Sequence, residues 1–144
     1  MHAEMSSRLA AYARAFETLS PATVADLLAL VDPAVRFKDP FNDVTGRAAM
    51  GRILQHMFDT TDQPRFVVHH QALDGSTGYL RWTFRARIKG IGDWSVEGMS
   101  EVRLSGDGLV LAHVDYWDAA EQFYERLPLL GTVLRWIKRR LTAR

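Results

Sequence analysis

The chain has 144 residues, 47% of them hydrophobic and 24% charged, with no cysteine and a formal net charge of +1. That length supports one buried core and not comfortably two. The charge balance excludes a general polyanion binder, and the lack of thiols excludes disulfides, thiolate metal sites and cysteine nucleophiles. The opening Met1-His2-Ala3-Glu4-Met5-Ser6 has no apolar core of the kind a secretory signal needs. No apolar run approaches the roughly 18 residues of a bilayer span, so the expected location is cytoplasmic. The charge is unevenly placed: Arg135, Lys138, Arg139, Arg140 and Arg144 crowd the last ten residues without an acid, and leave a mildly acidic body.

Met5, Leu9, Tyr12, Phe16 and Leu19 recur every three or four positions and predict a first helix. Ser20-Pro21 reads as an N-cap followed by proline at the first helical position. A second short helix carries Val24, Leu27, Leu28 and Val31 until Asp32-Pro33 stops it. Ala34 to Asp39 alternates as a short strand, Asp39-Pro40-Phe41-Asn42-Asp43 is a loop, and Thr45 is placed to cap a third helix. That helix presents Met50, Ile53, Leu54, Met57 and Phe58 on one side and ends near Asp59 to Asp62.

From here the period changes to two. Phe66, Val68, His70 and Ala72 share one face of a strand. After a turn at Asp74-Gly75-Ser76, Leu80, Trp82, Phe84, Ala86 and Ile88 alternate with Arg81, Thr83, Arg85, Arg87 and Lys89. After Gly90-Ile91-Gly92-Asp93, Trp94, Val96, Gly98, Ser100, Val102 and Leu104 alternate with a face that includes Glu97, Glu101 and Arg103. A last strand places Leu109, Leu111, His113, Asp115 and Trp117 together. Arginines facing glutamates across neighbouring strands predict ion pairs on the outer face. Ala119 to Arg144 is helical, with Pro128 starting a new helix and a stripe at Leu127, Leu130, Leu134, Ile137 and Leu141. Helices first, then long strands joined by short turns, define an α+β fold with largely antiparallel pairing. The expected division is one domain over residues 1–144, with a core fold over 1–118 and a helical extension over 119–144.

Three polar residues interrupt the apolar inner face: Ser100, His113 and Asp115. Buried polar groups must find partners or line a wet cavity. Asp39, at the end of an apolar strand and beside Pro40-Phe41, is a candidate proton acceptor whose pKa burial would raise; Asp-Pro is equally ordinary turn chemistry, with the carboxylate capping the loop. His69 and His70 are adjacent and are expected to point to opposite faces. His113 and Asp115 share a face with Asp39 as the only third ligand, and the apolar surroundings argue against a metal. Gly90-Ile91-Gly92 opens no helix and is not a phosphate loop, so no cofactor is expected.

Phe37-Lys38-Asp39-Pro40-Phe41, then Gly46-Arg47 opening a helix, then a last strand ending in Tyr116-Trp117, resembles the nuclear-transport-factor-2-like superfamily, including ketosteroid isomerases and SnoaL-like polyketide cyclases. The resemblance runs from the first helix to Trp117. It implies a cone: helices packed on a strongly curved, mostly antiparallel sheet, with additional C-terminal helices. It also implies a base at Asp39, aided by His113 and Asp115, in a pocket walled by Tyr12, Phe16, Phe41, Met57, Trp82, Phe84, Ser100, Val102 and Trp117. The isomerase oxyanion donors are not matched, because Phe16 and Ser100 stand where that pattern has a tyrosine and a protonated aspartic acid. The implied functions are acid/base isomerase or cyclase chemistry on a hydrophobic ligand, or a non-catalytic binding or interaction module. His113 has a second reading, as a structural partner of Asp39 or Asp115. The expected partners are a small apolar or amphipathic molecule and a second copy docked through the outer sheet face, with no nucleic acid. The basic tail is either an ordinary cationic helix end with its leucines packed on the domain or an interfacial helix contacting membrane.

Overall fold

The structure is a computed structural model describing residues 2–88, 90–124 and 127–142; Met1, Lys89 and Arg144 lie outside the described residues. Helix α1 (His2–Glu17) buries Leu9, Tyr12, Ala13 and Phe16. These fall at i, i+3, i+4 and i+7, one face of a 3.6-residue turn. A 3₁₀ turn over Pro21–Thr23 leads into α2 (Val24–Leu28). Val31 does not belong to that helix. It opens strand β1 (Val31–Lys38), fully buried and in register with Val110. The Asp32-Pro33 stop acts inside β1 instead: Asp32 Oδ1 accepts from Ala34 N at 2.8 Å, and the ladder skips from Val31 to Arg36.

A short strand β2 (Asp43–Thr45) follows, paired antiparallel to β1. It takes Thr45 out of the capping role the sequence suggests. The N-cap of α3 (Arg47–Thr60) is Gly46, at φ 105°, a conformation that only glycine adopts without strain. Arg47 Nη2 donates to the Val31 carbonyl at 2.5 Å and fixes the start of α3 against β1.

Strands β3 (Thr61–Asp74), β4 (Thr77–Ile88), β5 (Gly92–Leu104) and β6 (Val110–Tyr116) complete one six-stranded sheet, in the order β2-β1-β6-β5-β4-β3. Every neighbouring pair is antiparallel except β1 and β6, which run parallel. α1 crosses β3 and β4, and α3 crosses β1 and β3. The helices therefore cover one face of the sheet, and the core fills the space between.

Two bulges change the face assignments read from alternation. The first lies between Val68 and His70, so His70 stands opposite Arg81 on the outer face and Leu73, not Ala72, turns in toward the core. His69 Nε2 meets Thr83 Oγ1 at 2.8 Å. Both histidines are thus on the outer side, not on opposite faces. The second bulge falls at Leu111: Leu104 pairs with Val110 and Arg103 with Ala112, so Val110 is the buried residue. Beyond Leu111 the phase is restored and His113 points in.

On the outer face Arg81 pairs with Glu97 at 3.9 Å and Arg87 with Asp93 at 3.4 Å. Both pairs are exposed and contribute little to stability. The C-terminal region forms α4 (Ala119–Gln122), capped by Asp118, and α5 (Pro128–Leu141). The leucine stripe of α5 does not pack on the body. Gly131 is buried and Leu134 half-buried, but Leu130, Ile137 and Leu141 are exposed. No helix among the described residues is long and apolar enough to cross a membrane.

Candidate functional site

The parallel pairing of β1 with β6 decides what meets inside the sheet. Phe37 is level with His113 and Lys38 with Val114. Side chains alternate, so Asp39, one residue beyond Lys38, leaves β1 at the level of Asp115 and on the same side. Residues far apart in sequence are brought to one wall because the first and last long strands are neighbours.

That wall borders a cavity of about 420 Å³ between the sheet and α3. Its lining is chiefly aromatic and aliphatic: Phe16 from α1, Ile53 and Met57 from α3, Phe66 from β3, Trp82 and Phe84 from β4. A volume of this order suits a drug-sized or smaller ligand. Phe41 is half exposed at the rim, with its ring 5.4 Å from Trp117 and 5.4 Å from Phe123, both of which also line the cavity.

A single hydrogen-bonded chain runs through the apolar interior. Trp82 Nε1–H donates to Ser100 Oγ at 2.8 Å, and Ser100 O–H donates to Asp115 Oδ1 at 2.5 Å. His113 Nε2 meets the same Oδ1 at 2.6 Å, and His113 Nδ1 meets the Tyr12 hydroxyl at 2.7 Å. One assignment gives every proton an acceptor: Tyr12 O–H donates to Nδ1 and the imidazole carries its own proton on Nε2, toward Asp115. Burial, and after it the negative charge of Asp115, push the Tyr12 phenol well above its ordinary range. It therefore serves as a fixed proton donor. Asp115 Oδ1 accepts two bonds, while Oδ2 accepts none among the described residues. Asp115 lines the cavity and retains 17% exposure of its side chain, against 4% for His113. The network thus anchors one carboxylate oxygen of a cavity-lining residue and leaves the other without a hydrogen bond among the described residues.

Asp39 lines the same cavity and also holds a turn. Its Oδ1 accepts from the backbone of Phe41 at 2.8 Å and of Asn42 at 2.7 Å, and Asn42 Nδ2 lies 3.1 Å from Oδ1 and 3.2 Å from Oδ2. The turn-capping reading of Asp-Pro is therefore realised, with Oδ2 the less engaged oxygen.

Of the pocket residues expected from sequence, Phe16, Phe41, Met57, Trp82, Phe84, Ser100 and Trp117 line the cavity together with Asp39, His113 and Asp115. Tyr12 and Val102 do not. Tyr12 lies behind His113 and is 1% exposed, and Val102, 0% exposed, is the strand neighbour of His113 in the packed core. Sequence reasoning missed Phe66, His56 and Phe123 as lining residues. Phe123 sits just past α4, where four residues gave no usable periodicity. Trp94 has its Nε1–H committed to the Gln122 carbonyl at 2.5 Å, which ties α4 to β5. Among the described residues no cluster of three or more His, Asp or Glu side chains is arranged for a metal ion.

Gly98 is required by the same interior. A Cβ there would stand 2.6 Å from Trp82 Cη2 and 3.0 Å from the Tyr116 carbonyl oxygen. The indole that donates to Ser100 lies across its cross-strand glycine.

Comparison with solved structures finds the same fold. A nuclear-transport-factor-2-like protein of unknown function from Burkholderia pseudomallei K96243 superposes with a TM-score of 0.71 at 16% identity, over 81% of this chain and 92% of that one. An LEH-like epoxide hydrolase of M. tuberculosis gives 0.68 at 18% identity, over 94% and 97%. A protein with a ketosteroid isomerase-like fold from Catenulispora acidiphila DSM 44928, in complex with trimethylamine, gives 0.69 at 16% identity, over 80% and 88%. These likenesses establish the fold and carry no activity across. No curated protein matches the sequence. The SnoaL-like domain model matches residues 12–113, from the tyrosine to the histidine of the buried network, and the chain belongs to that family.

Proposed function

We propose that this protein binds a small hydrophobic molecule in the cavity and moves a proton at it, with Asp115 as the acid/base group. The observation that carries this reading is the anchored carboxylate of a residue that lines an apolar cavity: Oδ1 is held by Ser100 and His113, and Oδ2 accepts no hydrogen bond among the described residues. A histidine–aspartate pair that only filled a core would have no reason to border open space.

The chemistry follows from the geometry. Two donors on Oδ1 fix the carboxylate rotamer and stabilise its charge, which leaves Oδ2 lone pairs for a substrate proton. Aromatic walls exclude water and strengthen the electrostatics of the transfer. Asp39, on the same wall, is the second acid/base group, able to return the proton elsewhere on the same molecule. Return to a neighbouring carbon is an isomerisation; proton removal that drives ring closure is a cyclisation. The hydroxyl, indole and imidazole donors of Tyr12, Trp82, Ser100 and His113 are all committed within the network. None of these four remains for an enolate oxygen, so any such donor would have to come from elsewhere on the lining, where Trp117 and His56 stand. The network itself suits proton transfer concerted with the bond change.

The committed donors also favour a second reading, a ligand-binding module that performs no reaction. The two are separated by identifying small molecules retained by the native protein with mass spectrometry, then assaying that class with variants. Asp115→Asn keeps an acceptor for Ser100 and His113 and removes the base; turnover is expected to fall by about 10²–10⁴-fold with binding retained. Unchanged turnover in Asp115→Asn overturns the assignment, and loss confined to Asp39→Asn transfers the role to Asp39. Retention of a molecule that no preparation converts selects the binding module.

A further inference from the structure

We propose that α5 is a surface-docking helix whose partner is the headgroup layer of an anionic lipid bilayer. Leu129, Leu130, Val133, Trp136 and Ile137 follow the i, i+1, i+4, i+7, i+8 spacing of one helix side, and all are exposed, Leu129 by 85%. The side turned to the body is different. Gly131 is buried, Leu134 is half-buried, and Lys138 Nζ reaches Glu121 at 3.5 Å. The apolar side is therefore the one turned away from the body, which the helix meets at Gly131, Leu134 and Lys138.

Charge decides between possible occupants. α5 carries four basic residues, Arg135, Lys138, Arg139 and Arg140, and no acid. Arg140 is one turn beyond Trp136, on the apolar side itself, with its guanidinium carbon 4.9 Å from the indole centroid. Docking a second copy of α5 on this side would bury Arg140 against an identical cationic helix with no carboxylate on either to receive it, a costly arrangement. A bilayer interface answers each feature at once. Acyl chains take the leucine, valine and isoleucine side chains, the indole lies at headgroup depth, and phosphates receive an arginine that snorkels along it. The docking is independent of what the cavity does, although Phe123 of the cavity rim lies in the segment just before α5.

The test is flotation of the full chain with phosphatidylcholine vesicles, with and without phosphatidylglycerol. Binding is expected only with the anionic lipid, and is expected to weaken as salt rises. Arg139→Gln/Arg140→Gln should lower the partition coefficient by about tenfold or more. Leu129→Ser/Val133→Ser should abolish binding, with circular dichroism and melting temperature unchanged because both positions are exposed. Equal recovery with both vesicle types overturns the proposal, as does wild-type binding by the variants. A dimer that Leu129→Ser/Val133→Ser converts to monomer, without vesicle binding, assigns this side to a second copy and also overturns it.

Discussion

Ser100 and Asp115 are direct cross-strand partners on β5 and β6, and the serine hydroxyl donates to the carboxylate at 2.5 Å inside the cavity wall. The isomerase pattern has a carboxylic acid on the penultimate strand where this chain has Ser100. Here a carboxyl group reaches the same neighbourhood from the last strand, and it accepts hydrogen bonds where the isomerase acid donates one. The network's carboxyl group, which lines this cavity, therefore comes from the last strand and not from the penultimate one.

The first prediction concerns that contact. Ser100→Ala removes one donor to Asp115 and leaves Trp82 Nε1–H buried without its acceptor. An unsatisfied buried donor costs about 1–3 kcal/mol. Urea unfolding should show a lower midpoint with an unchanged slope, since the surface exposed on unfolding is the same. A variant as stable as the parent would mean that the indole and serine are not coupled.

Tyr12→Phe tests the other end of the chain. At neutral pH it strands His113 Nδ1 in the core, again at about 1–3 kcal/mol. The alkaline limb carries more information. The Tyr12 phenol is raised in the fold, by burial first and Asp115 second, against about 10 in the unfolded chain. The folded state keeps this proton where the unfolded chain has released it. Its contribution is therefore complete below about pH 10 and declines as pH rises beyond that. Melting curves between neutral and strongly alkaline pH should fall less steeply in Tyr12→Phe than in the parent; parallel slopes would contradict the assignment.

Gly98→Ala tests whether the indole is held by contact with bare backbone. The added methyl meets Trp82 ring carbons at 2.6 and 2.7 Å, with the Tyr116 carbonyl at 3.0 Å on the other side. Overpacking of this kind costs about 1–3 kcal/mol. It should also push the indole into the cavity, so a hydrophobic probe dye bound by the parent should bind more weakly. Unaltered stability and dye binding would show that the ring has room to retreat.

Legibility followed physical regularity. Between Thr77 and Leu104 two long strands keep their alternation, so the arginine face and the aromatic face were both readable, and with them Trp82, Phe84 and Ser100. The phase failed where bulges insert a residue, at His69 and at Leu111, because neither leaves a glycine or proline to mark it. His113 and Asp115 nevertheless share the inner face that the alternation predicts, since they lie beyond the second bulge in the restored phase. Three residues of β2 are too few for any period. Val31 sits at helical spacing from Leu27 and Leu28, yet its partner is Val110, a contact that local pattern does not contain. The proximity of Asp39 to Asp115 likewise depends on β1 pairing with β6. The stripe on α5 was legible as amphipathic, but amphipathicity is the same whether the apolar side meets a core or faces outward.

The outer sheet face supports a last prediction. Met99, directly opposite Tyr116 on β6 and Arg81 on β4, is 44% exposed, and Tyr116 is 59% exposed. Tyr79 and Val67 on the same face are also exposed large apolar residues. The flanking arginines and glutamates carry both signs, so a two-fold pairing can set an arginine of one copy against a glutamate of the other. A homodimer at micromolar concentration is therefore expected in sedimentation velocity. Met99→Glu puts a charge in the middle of this apolar patch and should shift the species to monomer, while the cavity on the opposite face keeps its affinity for the probe dye. A parent chain that sediments only as monomer would remove the outer face as an interface and leave these four side chains without a partner.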